Sequence, residues 1–135
     1  MTIDVRELLP RDKRDLERAR AVVLLGYPAV APVLPELLEW LQDCNWPVAG
    51  PIGDLLASLS EQVAPLVWDV LRGADDIWKY WCIVRLVSKM PARVAEQFRA
   101  ELTRLAERPT DGERAGELGE VARDALMELW GSRGA

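Results

Sequence analysis

Apolar side chains recur along most of the chain at intervals of three and four residues, which places them on one face of an α-helix. Asp15 precedes one such run, and Gly26 ends it as glycine commonly ends a helix. Pro91 suits the first turn of a later helix, and Thr110 with Glu113 has the spacing of a capping box. Because no segment alternates between apolar and polar residues, as a half-buried strand does, the pattern predicts an all-α protein.

Four helices are predicted in the middle of the chain. The first becomes regular after Leu34, and Asn45 is expected to cap the second, with Pro47 in its first turn. Gly73 ends the third. The fourth is apolar on almost every side, through Ile77, Trp78, Tyr80, Trp81, Cys82, Ile83, Val84, Leu86 and Val87. A helix that is apolar all round is usually buried between neighbours, so we expect the fourth to lie at the centre of the molecule.

The last part of the chain predicts two more helices. One begins at Pro91 and runs through PARVAEQFRAELTRLAER. The other begins after Thr110 and carries a single apolar stripe, formed by Ala115, Leu118, Ala122, Ala125 and Leu129. Its opposite face is charged, as expected for a helix that closes the end of a stack.

The two middle hairpins form an internal repeat, over about residues 30–59 and 62–90. Two residue pairs mark the same register, 32 positions apart: Asp43 with Asp75, and Trp46 with Trp78. A period near 30 with two helices per unit is typical of an α-solenoid. We therefore predict one domain over residues 1–135, a short α-solenoid of antiparallel helical hairpins with about six to seven helices.

The charge distribution points to a basic partner. The formal net charge is -5, which disfavours generic binding to nucleic acid or to an anionic membrane. No Lys or Arg lies between Arg20 and Arg72, but six carboxylates do: Glu36, Glu39, Asp43, Asp54, Glu61 and Asp69. An acidic surface is expected there.

Cysteine and histidine content argues against a metal or disulfide framework. Cys44 and Cys82 are far apart, and the chain contains no His, so we expect free, partly buried thiols and no zinc site. The longest uncharged run, Ala21 to Pro35, is too short to span a bilayer, and the charged N-terminal segment does not resemble a secretory signal. A cytoplasmic location is the expectation.

The segments LLEWLQDCNWPVAGPIGDLL and DDIWKYW resemble a bacterial domain family of unknown function whose signature is built around NWPVA and DDIWKYW. The likeness extends over most of the chain, from LLPRDKRDL to ERPTDGE. The resemblance implies a HEAT-like fold and brings no established activity. The repeat also resembles a HEAT repeat in placing Asp43 and Asp75 at turns, but it departs from that pattern at Ala49 and Trp81, where a basic residue usually stands.

The two turns of the repeat supply the candidate binding residues: Asp43, Asn45 and Trp46 from the first, and Asp75, Asp76, Trp78 and Lys79 from the second. Matching turns of stacked hairpins lie side by side, so these residues are expected to form one polar and aromatic edge. Such an edge suits a basic or aromatic ligand or a partner protein. The structural interpretation carries more weight: Asp and Asn cap helices, Lys79 pairs with Asp75 or Asp76, and the tryptophans fill space between hairpins.

These observations favour a non-catalytic protein-interaction module with an acidic surface, such as a bacterial adaptor or an immunity-type antagonist. The alternative is a HEAT-like nucleic-acid-binding or DNA-repair protein with Trp46, Trp78 and Asp76 on a concave face. Its only local basic cluster comprises Arg72, Lys79, Arg85, Lys89 and Arg93. An enzyme is disfavoured by the lack of His and of nucleophile or phosphate-loop motifs, although paired carboxylates leave acid-base chemistry open. We predict no catalytic residue, metal or cofactor, and the sequence leaves the oligomeric state open.

Overall fold

The computed structural model describes residues 4–131, and every regular element in this range is helical. The prediction of an all-α protein is therefore confirmed for the described residues. They divide into two compact units, with the boundary between Leu59 and Ser60. None of the described helices combines the length and apolar character that a membrane crossing requires.

From residue 4 onward, the first unit contains three α-helices: α1 (Leu16–Leu25), α2 (Leu34–Glu39) and α3 (Ala49–Ala57). One-turn 3₁₀ helices precede α1 (Val5–Leu8), precede α2 (Ala31–Val33) and follow α2 (Trp40–Gln42). Helices α1 and α2 both pack against α3. The side chains that fill this core are fully buried: Ala19, Val22, Val33, Leu37, Leu41, Ile52 and Leu56.

The ends of α1 form as the sequence predicts. Asp15 is the N-cap residue, and its carboxylate accepts a hydrogen bond from the backbone N–H of Arg18 at 3.4 Å. Gly26 ends the helix with a φ of 66°, a left-handed value that side chains with a Cβ rarely adopt. Its N–H donates to the carbonyl oxygen of Val22 at 3.1 Å, which satisfies one of the last carbonyl groups of the helix.

The second unit contains six α-helices within the described residues: α4 (Ser60–Leu71), α5 (Asp76–Arg85), α6 (Ala92–Ala95), α7 (Arg99–Glu107), α8 (Asp111–Ala115) and α9 (Leu118–Leu126). Helix α9 packs against α5 and α7, and α4 packs against α5. A 3₁₀ turn follows α5 (Val87–Lys89), and a π-helical turn follows α9 (Met127–Gly131).

The two last predicted helices are each divided. Pro91 is the N-cap of α6 rather than a first-turn residue, and the 3₁₀ turn Glu96–Phe98 separates α6 from α7. Glu117 adopts a left-handed φ of 63° between α8 and α9. Because the chain turns there, the predicted apolar stripe is broken: Ala115 is exposed, whereas Leu118, Ala122 and Ala125 are buried.

The prediction that α5 is buried on every side is wrong. Ile77 is 63% exposed, and Trp78, Tyr80 and Trp81 are half-buried. The buried side of α5 carries Cys82 and Ile83, but it also carries Lys79, which is only 7% exposed. Neighbours therefore cover one side of this helix and leave another exposed, and a charged side chain occupies part of the covered side.

Candidate functional site

The predicted site residues belong to different units. Asp43, Asn45 and Trp46 lie in the first unit, and Asp75, Asp76, Trp78 and Lys79 lie in the second. Each group has its own local geometry. Cys44 is half-buried, Cys82 is buried, and neither forms a disulfide. The described residues contain no cluster of Cys, Asp and Glu that suits a metal ion.

In the first unit, Asp43 shapes a turn instead of capping a helix. Its side-chain Oδ1 accepts a hydrogen bond from the N–H of Asn45 at 2.9 Å, and its carbonyl oxygen accepts one from the N–H of Trp46 at 3.1 Å. The predicted cap at Asn45 is wrong, since α3 begins only at Ala49 and Val48 occupies the N-cap position. Residues 43–46 thus form a turn stabilised by Asp43, and the helix starts after it.

The turn places Trp46 against Trp40, at the end of α2. The two ring centroids are 5.9 Å apart and the ring planes make an angle of 76°, an edge-to-face arrangement. A cavity of about 190 Å³ lies at this pair, and we call it the Trp40–Trp46 cleft. Its lining residues are Glu36, Glu39, Trp40, Gln42 and Trp46.

Helix α2 and the 3₁₀ turn after it supply four of the five lining residues. Leu34, Leu37, Leu38 and Leu41 of this segment are buried in the core, and the other positions face outward. Glu36 and Trp40 are four residues apart and therefore lie on the same side of the segment. The sequence predicts an acidic span that contains Glu36 and Glu39, but their position beside Trp40 was not predicted. The signal was present in the helical spacing opposite the leucine stripe.

The chain itself supplies a cation to one of the lining carboxylates. Arg6, in the 3₁₀ turn Val5–Leu8, has its Nη1 3.4 Å from Oε2 of Glu36. Both side chains are substantially exposed, at 54% for Arg6 and 39% for Glu36. Solvent screening makes such a pair weak.

In the second unit, Asp75 is the N-cap of α5, as predicted. Its Oδ1 accepts a hydrogen bond from the N–H of Trp78 at 3.0 Å. The predicted pairing of Lys79 is also confirmed, because its Nζ is 3.3 Å from Oδ1 of Asp76. Lys79 is buried, so this carboxylate offsets the cost of removing the ammonium group from water.

A second carboxylate, Glu113 of α8, belongs to the same charged cluster. Arg104 donates to both of its oxygens, at 3.1 and 2.8 Å, and also to both oxygens of Glu101. The N–H of Thr110 donates to Glu113 at 2.8 Å, while the hydroxyl of Thr110 accepts from the N–H of Glu113, which confirms the predicted capping box.

The pKa of Glu113 reflects these partners. The hydrogen bonds from Arg104 lower it most, burial opposes them, and the N–H of Thr110 and the charges of Arg104 and Lys79 lower it further, to about 2. The same hydrogen bonds from Glu101 and Glu113 raise the pKa of Arg104 above its usual value. Glu113 and Arg104 are therefore held in their charged forms.

Asp76 also lies directly against α8. A Cβ placed on Gly112 would be 3.4 Å from Oδ2 of Asp76, and one on Gly116 would be 3.5 Å from its Cβ. The start of α5 therefore lies within van der Waals reach of α8 at these two positions. The cluster joins the segment DDIWKYW to the segment ERPTDGE, so Asp75, Asp76 and Lys79 have structural roles in the second unit.

One protein-family model, described as a domain of unknown function (DUF5071), matches residues 8–126. Since this match spans most of the 135 residues, the chain belongs to that family. The resemblance to a family of unknown function is thereby confirmed. No curated protein matches the chain.

Proposed function

We propose that this member of the DUF5071 family is a non-catalytic protein-interaction module, and that the Trp40–Trp46 cleft binds a basic side chain of its partner. One observation carries the proposal: two tryptophans and two glutamates line the same cavity. A tryptophan face attracts a cation, and a carboxylate beside it adds a charge-assisted hydrogen bond. Together they form a receptor for a lysine or arginine side chain.

The size of the cleft supports a side chain rather than a metabolite as guest. Its volume is about 190 Å³, whereas pockets for small molecules usually measure roughly 300–1,000 Å³. One long side chain that reaches in from a partner surface suits this volume. Tryptophan is also enriched among the residues that dominate interface energetics.

The surrounding sequence supports a partner with a basic surface. No Lys or Arg lies between Arg20 and Arg72, and the whole chain carries a net charge of -5. An acidic surface accelerates association with a basic partner and disfavours acidic ones.

Electrostatics in the described residues disfavour an acid-base catalyst. The shifts that the structure produces lower the pKa of Asp15 and Glu113 and raise the pKa of Arg11 and Arg104. Each shift stabilises a charged form. A general acid or base that works near neutral pH needs the opposite, a pKa moved toward that pH.

The nucleic-acid alternative has less support. Its basic cluster included Lys79, which is buried against Asp76. Arg93 is paired with Glu61 at 2.7 Å, and Arg72 with Asp69 at 3.8 Å. Arg72, Lys79 and Arg93 therefore face carboxylates of the same chain, and phosphate binding would have to compete with these carboxylates.

The proposal also includes a HEAT-like fold and a cellular role. The HEAT-like solenoid rests on the repeat of Asp43 and Trp46 at Asp75 and Trp78. An adaptor or immunity-type role in a bacterial cytoplasm rests on the small size and acidic charge of the chain.

The proposal is tested by fluorescence anisotropy with a labelled hexapeptide of alternating Lys and Arg, an acidic hexapeptide and a labelled DNA duplex. We expect only the basic peptide to bind. Trp40→Ala should weaken it about tenfold or more, as loss of an aromatic anchor does, and Glu39→Gln about threefold. Circular dichroism checks that Trp40→Ala is folded.

Glu107→Gln is the matched control, because Glu107 is exposed on α7 and its replacement changes the net charge equally. It should leave peptide affinity unchanged. Equal binding by Glu39→Gln, Glu107→Gln and the parent would contradict a role for the cleft. Duplex binding without peptide binding would favour the alternative.

A further inference from the structure

We infer that the guest of the Trp40–Trp46 cleft is an arginine side chain, whose guanidinium displaces that of Arg6 from Glu36. The inference rests on the proposed function and adds the identity of the guest and a competitor within the chain. It follows from three features: the position of Arg6, the recurrence of one arginine geometry elsewhere in the chain, and the weakness of the Arg6–Glu36 pair.

Arg6 already pairs its guanidinium with a carboxylate that lines the cleft. Its Nη1 lies 3.4 Å from Oε2 of Glu36, one of the lining residues. The turn that carries Arg6 is capped by Asp4, whose Oδ1 accepts a hydrogen bond from the N–H of Arg6 at 3.0 Å. The backbone at Arg6 is thus fixed by local hydrogen bonding while its side chain stays exposed.

The second unit shows how this chain accommodates guanidinium groups. Arg72 lies over the ring of Trp68, 5.0 Å from its centroid, and its Nη1 is 3.8 Å from Oδ1 of Asp69. Arg99 repeats the arrangement, 4.7 Å from the centroid of Trp130 and 3.4 Å from Oε1 of Glu96. In both cases one guanidinium contacts a tryptophan face and a carboxylate together.

The Trp40–Trp46 cleft offers the same two partners, tryptophan rings and carboxylates. A planar guanidinium stacks on a ring and still directs N–H groups to a carboxylate in its plane. The ammonium of lysine is more strongly hydrated and lacks this geometry. Arginine is therefore the better guest.

Competition with Arg6 follows from the weakness of the existing pair. An exposed ion pair contributes little, so a guest that gains both ring and carboxylate contacts displaces it. The guest must nevertheless replace the Arg6 contact at Glu36. Removal of Arg6 should raise the affinity for the guest by about two- to fivefold, the worth of an exposed pair.

The test is a double-mutant cycle with two labelled hexapeptides, one of alternating Gly and Arg and one of alternating Gly and Lys. Affinities are measured for the parent, Arg6→Gln, Glu36→Gln and the double variant at low ionic strength. We expect the Arg peptide to bind about threefold or more tighter than the Lys peptide. Arg6→Gln should strengthen Arg-peptide binding in the parent but not in the Glu36→Gln background.

Arg20→Gln is the control for net charge, since Arg20 is exposed on α1 and does not line the cleft. An equal gain from Arg20→Gln, or a gain from Arg6→Gln that persists without Glu36, would reduce the effect to overall charge and overturn the inference. So would equal affinity for both peptides. If neither peptide binds any variant, the proposed function fails with it, whereas binding that requires Trp40 but ignores Arg6 overturns the inference alone.

Discussion

The segments that begin at Asp43 and at Asp75 share an Asp and a Trp in the same register, and they adopt different structures. At Asp75 the carboxylate accepts from the N–H three residues on, and α5 starts immediately. At Asp43 the carboxylate accepts from the N–H two residues on, and no helix starts until Ala49. The same Asp and Trp spacing thus gives a helix N-cap in the second unit and a turn outside any helix in the first.

A single residue accounts for much of this difference. Trp46 is followed by Pro47, whereas Trp78 is followed by Lys79. The ring of a proline disfavours helical dihedral angles at the residue before it, so Trp46 is excluded from a helix start that Trp78 can join. The turn then presents Trp46 beside Trp40, where the cleft forms.

The consequences for function differ accordingly. In the second unit the charged side chains of the segment are engaged in the cluster around Glu113, and Lys79 is buried. In the first unit the nearby carboxylates Glu36 and Glu39 line an accessible cavity. We expect changes in the second segment to alter stability and changes in the first to alter binding.

The largest expected effect comes from Glu113→Ala. It removes one of the two carboxylate partners of Arg104, a negative charge near the buried Lys79 and the capping box, so we expect the free energy of unfolding to fall by about 2–3 kcal/mol. Urea unfolding followed by circular dichroism measures it. Glu107→Ala, at an exposed position of α7, should change stability by less than about 0.5 kcal/mol. A Glu113→Ala protein as stable as this control would contradict a stabilising role for the cluster.

Lowering the pH should reduce the free energy of unfolding by part of the amount expected for Glu113→Ala. The pKa of Glu113 is depressed from its usual 4.5 to about 2, so its contribution is complete above about pH 4.5 and is lost as the pH falls toward 2. We expect roughly 2 kcal/mol of stability to disappear across this window. The Glu113→Gln protein lacks this carboxyl group, so its stability should fall less over the same pH window, by that amount. Parallel pH profiles for the parent and Glu113→Gln would show that this carboxyl does not carry the acid dependence.

The third effect is smaller and concerns the helix cap. Asp75→Ala removes the acceptor for the N–H of Trp78, and we expect a loss of about 1 kcal/mol, measured by thermal unfolding. Asp75→Asn keeps a capping oxygen and should restore most of the loss. If the Asn and Ala variants melted alike, the capping hydrogen bond would not be the cause.

The smallest effect on stability is expected at Asp43. Asp43→Ala removes one turn hydrogen bond at a half-buried position and should cost less than about 0.5 kcal/mol. It should nevertheless weaken binding of a basic peptide severalfold, because the turn holds Trp46 at the cleft. Asp75→Ala should leave peptide affinity unchanged. If Asp75→Ala weakens peptide binding as much as Asp43→Ala does, the assignment of binding to the first segment and stability to the second is wrong.

The candidate site was only partly predictable. Trp46 and the acidic character around Glu36 and Glu39 followed from the sequence, but their meeting with Trp40 required the path of the turn. Asn45 was expected to cap α3, but it lies within the turn that Asp43 shapes, and α3 begins only at Ala49. Local patterns contain several hydrogen-bonding options for such residues, and the surrounding backbone decides which one forms.

By itself, the sequence determined the all-helical character of the described chain and several helix ends, including those at Asp15, Gly26, Asp75 and Thr110. These features depend on hydrogen bonds between residues a few positions apart, which spacing alone encodes. The tertiary structure alone decided that Lys79 is buried beside the Glu113 cluster and that Arg6 reaches Glu36. Those contacts join residues some 30 positions apart, and burial depends on which neighbours cover a helix, so no local pattern could specify them.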